Sequence, residues 1–199
     1  MDAFTPIHMS VLKEIGNIGA GHAATALGNM LGKRMYMHVP HVKLATFAEV
    51  MELSGGSDEI VASCIHTFTG ALSGKLFFLL PVKEATDLLQ EWMGESIATE
   101  MAQSAFREMS NILAGSYLNA LATFADSSII PSPPAMTIDL QGAIMSVGLV
   151  DLSMETNKVI AIETVLVPSD SEDALRGCIL LLPDPKALPQ LFSMLGVEG

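Results

Sequence analysis

The chain has 199 residues, half of them hydrophobic and only 16% charged. That length allows one or two compact domains, and that composition excludes a disordered chain. Ten Lys and Arg face 22 Asp and Glu, a formal net charge of −12, which argues against nucleic acid or anionic lipid as partners.

Mean hydropathy is high at +0.44. The longest apolar runs, such as 76–82 and 178–183, are nevertheless near seven residues, where a membrane-crossing helix needs about 20. The start, Met1-Asp2-Ala3-Phe4-Thr5-Pro6, is acidic and lacks the basic opening of a secretory signal. Cys64 and Cys178 lie in apolar stretches and read as buried thiols of a cytoplasmic protein.

Taken along the chain, residues 7–31 place Val11, Leu12, Ile15 and Ile18 at helical spacing. Strand-rich segments follow at about 35–50, 59–69 and 71–81, bounded by Pro, Gly and Ser. A short amphipathic helix is expected at about 83–93. A second long helix, about 96–125, carries Met101, Ala105, Met109, Ile112 and Leu113 at helical spacing. Strands are then expected at about 136–150, 158–167 and 174–182, and a closing helix at about 186–195. Strands that follow one another without helices between them favour antiparallel pairing and an α+β class over a doubly wound sheet.

The chain repeats itself. Asn17-Ile18-Gly19-Ala20-Gly21 matches Asn111-Ile112-Leu113-Ala114-Gly115 at four of five positions, at an offset of 94. The same offset pairs Ser10 with Ser104, Glu14 with Glu108 and Pro40 with Pro134. We therefore expect one body built from two tandem pseudo-symmetric α-β-β-β-α units, about 1–95 and 96–199, with the long helices exposed.

Ser10, Glu14, Asn17 and Gly21 are spaced four, three and four. At about 100° per residue they fall within a stripe of about 60°, and Gly28 falls on it too. Ser104, Glu108, Asn111 and Gly115 repeat the stripe. Gly16, Gly19, Gly21 and Gly28 in one helix carry a large propensity cost, about 1 kcal/mol each against alanine. Tight helix packing could offset it. So could a partner protein that approaches the bare backbone beside Glu14 and Asn17. The pattern Ser-x3-Glu-x2-Asn-x22-Pro should arise by chance about once in 10⁵ starting positions, yet it occurs twice. Meanwhile neighbours have changed: Lys13 aligns with Arg107, Gly16 with Ser110, Gly19 with Leu113.

This doubled motif resembles the signature of the CheC-type phosphatases of bacterial and archaeal chemotaxis, the family of CheC, CheX and FliY. The resemblance covers nearly the whole chain. Two complete motifs in this length resemble the CheC branch; CheX-like members carry one motif and dimerise, and FliY-like members add a flagellar switch domain. The resemblance implies a cytoplasmic hydrolase, monomeric, that removes the aspartyl phosphate of a CheY-like response regulator. It also implies a deamidase, CheD, as a possible partner, and no cofactor of the enzyme's own, since the regulator brings Mg²⁺ and a lysine. Carried over to this chain, Asn17 and Asn111 orient the attacking water, because a carboxamide can accept and donate but is no base near neutral pH. Glu14 and Glu108 pair with the regulator's lysine. Gly21 and Gly115 keep the surface low, Ser10 and Ser104 orient the glutamates, and Pro40 and Pro134 set backbone geometry behind the helix.

Other chemistries find less support. A metal-dependent phosphatase would draw on His38 and His41 with His22 or His66, but in a strand His38 and His41 face opposite sides. No Gly-x-Ser-x-Gly, Cys–His or Gly-x4-Gly-Lys signature occurs. Thirteen methionines suit an adaptable binding surface. The rival reading is a non-catalytic module that sequesters phosphorylated CheY or docks on CheD or a receptor complex.

Overall fold

A computed structural model describes residues 5–46, 48–50, 56–149, 158–168 and 175–184, with single positions between 187 and 193. Helix α1 (Pro6–Leu31) begins where Thr5 caps it: the Thr5 hydroxyl accepts from the His8 N–H, and the His8 ring accepts from the Thr5 N–H. Pro6 sits in the first turn, where its missing N–H costs nothing. Gly32, at φ 68°, ends the helix in the left-handed conformation that glycine tolerates best.

Strands β1 (Met35–His38) and β2 (Val42–Thr46) follow, then β3 (Ile60–Gly70) and β4 (Gly74–Pro81). Helix α2 (Val82–Met93) leads to the second long helix, α3 (Glu100–Phe124), capped by the Thr99 hydroxyl on the Ala102 N–H. Next come β5 (Ile129–Pro131), β6 (Ala135–Leu140), α4 (Gln141–Leu149), β7 (Lys158–Pro168) and β8 (Leu175–Pro183). The class is α+β, and every pairing in the sheet is antiparallel.

The strand order is β1-β7-β8-β4-β3-β5, with β2 also on β7 and β6 also on β3. Exchanging β1–β4 for β5–β8 returns the same order read from the other end. Each half thus lends its first two strands to the other half's third strand. The central strands β4 and β8 are buried on both faces. Leu76, Phe78, Leu80, Ile179 and Leu181 face the core under the helices, where Leu12, Ile15, Leu27, Phe106, Met109 and Leu113 also lie. Phe77, Leu79, Cys178, Leu180 and Leu182 face a second cluster, closed by Ile144 and Met145 of α4. Burial on both faces explains why these strands read as unbroken apolar runs rather than alternating ones.

Helices α1 and α3 lie against each other. A Cβ at Gly19 would sit 3.0 Å from the Tyr117 Cα and 3.2 Å from the Ser116 carbonyl oxygen, so any larger residue there would have to push the helices apart by a few tenths of an ångström. A Cβ at Gly28 would come 2.9 Å from the Lys33 carbonyl oxygen, where the chain turns back along the helix.

Several expectations need correction. The segment 35–50 holds two strands, split at Pro40, which has no N–H for the ladder, and residues 48–50 are helical. The segment 136–150 is strand only to Leu140 and then turns into α4. There the Gln141 and Gly142 N–H groups bond to the Glu59 and Ser57 carbonyls and lead the chain away from the sheet. A short apolar run does not by itself distinguish strand from buried helix. The three-residue β5 was not expected. Ile18 is 45% exposed rather than in the core. Of the closing helix at 186–195, most lies outside the described residues.

One buried polar group ties the helix layer to the sheet. His66 of β3 is fully buried, 2.8 Å from the Ser110 hydroxyl of α3 and 3.0 Å from the Ser132 carbonyl. The carbonyl can only accept, so Nδ1 carries the proton and Nε2 accepts from Ser110. Burial lowers the imidazole's pKa below its ordinary value, partly opposed by the bond to Ser132. The unfolded chain therefore takes up a proton first as pH falls, and the stability present above about pH 6.5 is lost below it. The thermal midpoint should fall between pH 7.5 and 5.5, with a shallower slope in His66→Gln; calorimetry across that range checks it.

Candidate functional site

The expected site residues lie on the outer faces of α1 and α3. Glu14 and Glu108 are exposed, as are Ser10, Ser104, Gly21 and Asn111; Asn17 and Gly115 are half-buried. Glu14 has no ion-pair or hydrogen-bond partner among the described residues. Its carboxylate is therefore available to an outside cation.

The glycines on these helices divide into two kinds. Gly19 and Gly28 are enforced by close contacts, and Gly16 lies in ordinary contact with Val39 and Tyr117. A Cβ at Gly21 or Gly115 would meet nothing within 4 Å. Among the described residues no internal packing offsets the helix cost at those two positions. Gly28 thus leaves the surface stripe and joins the packing set.

The two asparagines differ. The Asn17 Oδ1 accepts from the Val39 N–H at 3.0 Å. A donor on that side sets the amide's orientation, with oxygen towards the loop and Nδ2 away from it. The motif's long spacer now has a physical meaning. From Asn17 to Leu31 the helix climbs about 21 Å. Residues 32–39 can span at most about 27 Å, enough to bring the chain back beside Asn17. Pro40 follows the donor directly.

Among the described residues Asn111 has no such anchor. It is exposed, and its Nδ2 donates to the Glu108 Oε2 at 3.4 Å. The loop leading to Pro134 is held by β3 instead. The Ser132 N–H donates to the Thr67 carbonyl at 2.7 Å, the Thr67 N–H to the Ser132 hydroxyl at 3.0 Å, and His66 to the Ser132 carbonyl.

Ser10 does not orient Glu14. Its hydroxyl donates to the Pro6 carbonyl one turn back, at 3.0 Å. Ser104 makes no hydrogen bond among the described residues. Val39 was missed by sequence reasoning because its contribution is a backbone N–H, independent of its side chain. The only signal was indirect: at the offset of 94, a residue with an N–H aligns with Pro133, which has none.

The other candidate chemistries do not assemble. Among the described residues, no group of three or more His, Cys, Asp or Glu is placed to hold a metal ion. His22, His38 and His41 are exposed and His66 is committed to Ser110 and Ser132. Burial raises the Cys64 thiol to about 11, so it stays protonated and unreactive. No helix among the described residues is long and apolar enough to cross a membrane.

Comparison with known proteins bears on this arrangement. A model of the CheC-like family matches residues 7–44, which hold the first motif. A model described as chemotaxis phosphatase CheX matches residues 62–149, which hold the second. Among solved structures, FliY of Thermotoga maritima superposes with a TM-score of 0.77 at 22% identity, covering 98% of each chain. The FliM middle domain from H. pylori gives 0.65 at 6% identity, covering 97% of this chain and 99% of that one. A chemotactic CheC-like protein from Shewanella oneidensis gives 0.53 at 14% identity, over 88% and 99%. These likenesses establish the fold. In sequence, the chain is 37% identical to the protein named CheY-P phosphatase CheC of Bacillus subtilis, over 96% of this chain and 94% of that one. Identity at that level across nearly the whole of both chains establishes that this chain belongs to the CheC family.

Proposed function

We propose that this chain is a phosphatase that hydrolyses the aspartyl phosphate of a CheY-like response regulator. The observation that carries the reading is the doubled Glu–Asn pair, set on outward helix faces beside glycines that no internal packing requires. The name of the Bacillus subtilis relative, a CheY-P phosphatase, supports the substrate class.

An acyl phosphate is already activated, so no covalent enzyme intermediate is needed. Water attacks phosphorus, and the bond from phosphorus to the aspartyl oxygen breaks, leaving carboxylate and inorganic phosphate. In a loose transition state the water's proton is lost late, so positioning counts for more than a base. Asn17 or Asn111 supplies that positioning from the phosphatase side. Glu14 or Glu108 sits three residues earlier on the same face and pairs with the regulator's phosphate-proximal lysine, which fixes the docking register. The phosphoryl oxygens are neutralised on the regulator's side, by the Mg²⁺ and lysine expected there. Gly21 and Gly115 let the two surfaces close. Ile7, 60% exposed, and Met101, 63% exposed, lie one turn before the serines at the same offset and offer apolar contact area to the docked regulator.

We also read the two halves as copies of one unit. The offset of 94 and the reversible strand order support that reading, and two sites in one chain make a monomer the expected working form. A CheD-like deamidase remains a proposed partner on the family resemblance alone.

The test is phosphate release from phosphorylated CheY with this protein limiting. Many turnovers per molecule are expected; no release beyond the regulator's own rate would favour the sequestering module. Asn17→Ala with Asn111→Ala should lower kcat by about 10²-fold or more and leave regulator binding nearly unchanged. Glu14→Ala with Glu108→Ala should weaken binding by about fivefold, as loss of a partly exposed ion pair of about 1 kcal/mol implies. Titration calorimetry beside the turnover assay separates the two.

The glycines give an opposed pair of effects. Gly21→Leu with Gly115→Leu should stabilise each helix by about 0.5–1 kcal/mol, since the added side chain meets nothing inside the protein. The same change should raise KM for the regulator. Thermal melting and steady-state kinetics on one preparation check both.

A further inference from the structure

We propose that the Val39 backbone N–H is a positioning group for Asn17, and that Pro133 withholds the equivalent group from Asn111. The two sites then work differently: the first holds its carboxamide ready, and the second must order it when the regulator docks. The proposal rests on the phosphatase reading above and extends it to the loop behind each site.

Val39 and Pro133 stand at the same offset of 94, each directly before the motif proline. In the first site a rigid loop presents the donor. The Val39 side chain is buried, and its methyl groups lie against Gly16, where a Cβ would be 3.4 Å away. The His41 carbonyl accepts from the Glu163 N–H of β7 at 3.0 Å. The loop therefore keeps its place without help from Asn17. Its N–H fixes the terminal torsion of the asparagine and turns Nδ2 outward.

In the second site Pro133 has no N–H to give, and β3 holds the loop through Ser132 and His66. Ser110 stands at the offset of 94 from Gly16 and donates to His66. Asn111 keeps its torsional freedom, restrained among the described residues only by the 3.4 Å bond to Glu108. That bond and an incoming lysine would share the Glu108 carboxylate, which has a second oxygen to offer. Ordering one free side chain on association costs about two- to tenfold in rate or affinity.

Two single-site proteins test this, Asn111→Ala to isolate the first site and Asn17→Ala to isolate the second. In the first, Val39→Pro should lower kcat about two- to tenfold with KM unchanged. In the second, Pro133→Val should raise kcat by a similar factor, and Val39→Pro should change nothing. The second loop already accommodates two consecutive prolines, so the first is expected to fold with them. Equal losses from Val39→Pro in both single-site proteins would mark a general folding defect and overturn the proposal.

Amide hydrogen exchange gives a readout that does not depend on activity. The Val39 amide should be protected in the wild-type chain and in Asn17→Asp, whose carboxylate still accepts, and should exchange faster in Asn17→Ala. Equal exchange in all three would overturn the anchor whatever the kinetics show. The expected exchange pattern with no turnover by any variant would keep the anchor and overturn the phosphatase reading instead.

Discussion

The pairing of β4 with β8 at the centre of the sheet governs the rest of the molecule. Both strands are apolar on both faces, so water has to be excluded above and below them. On one side α1, α2 and α3 do this; on the other, α4 with residues of β2, β3 and β7. Covering a sheet this wide demands two long helices side by side. Each then has an inner stripe committed to the core and an outer stripe left free. The outer stripes are where the Glu and Asn side chains stand. A rigid scaffold thus carries these residues on helices rather than on loops, which suits the proposed task of placing one water.

Glycine serves two purposes on these helices. At Gly19 the Tyr117 backbone comes so close that a side chain would press on it, and the gain is tight contact between the helices. At Gly21 and Gly115 nothing lies overhead, so the cost in helix propensity brings no internal return. Residues of one type, two positions apart, can be told apart only by what lies above them.

The helices, the class and the stripe were legible because they depend on local periodicity, and periodicity survives in the sequence. The division of labour among Gly16, Gly19, Gly21 and Gly28 was not, because it depends on where the second helix passes. Helix α4 was missed because a short apolar run around Ile144 and Met145 does not by itself distinguish a strand from a half-buried helix. The role of Val39 was invisible for a deeper reason. Its useful atom is one that nearly every residue has, so only the proline at 133 could betray it. Ser10 misled because a hydroxyl on a helix has a nearer acceptor, the carbonyl one turn back, than the carboxylate one turn on.

The sheet's exchange of strands between halves has a consequence for how the chain comes to be folded. Met35 pairs with Pro168, and Val42 with Ile162. During synthesis, α1, β1 and β2 leave the ribosome long before β7 exists. They wait with an apolar face and an open strand edge, while β3 and β4 can pair at once. Contacts so distant in sequence make closure slow, because loop entropy is lost before the contacts repay it. The emerging first half is therefore the stage at which this chain is most exposed to aggregation, and the last strands to be made are the ones that seal it.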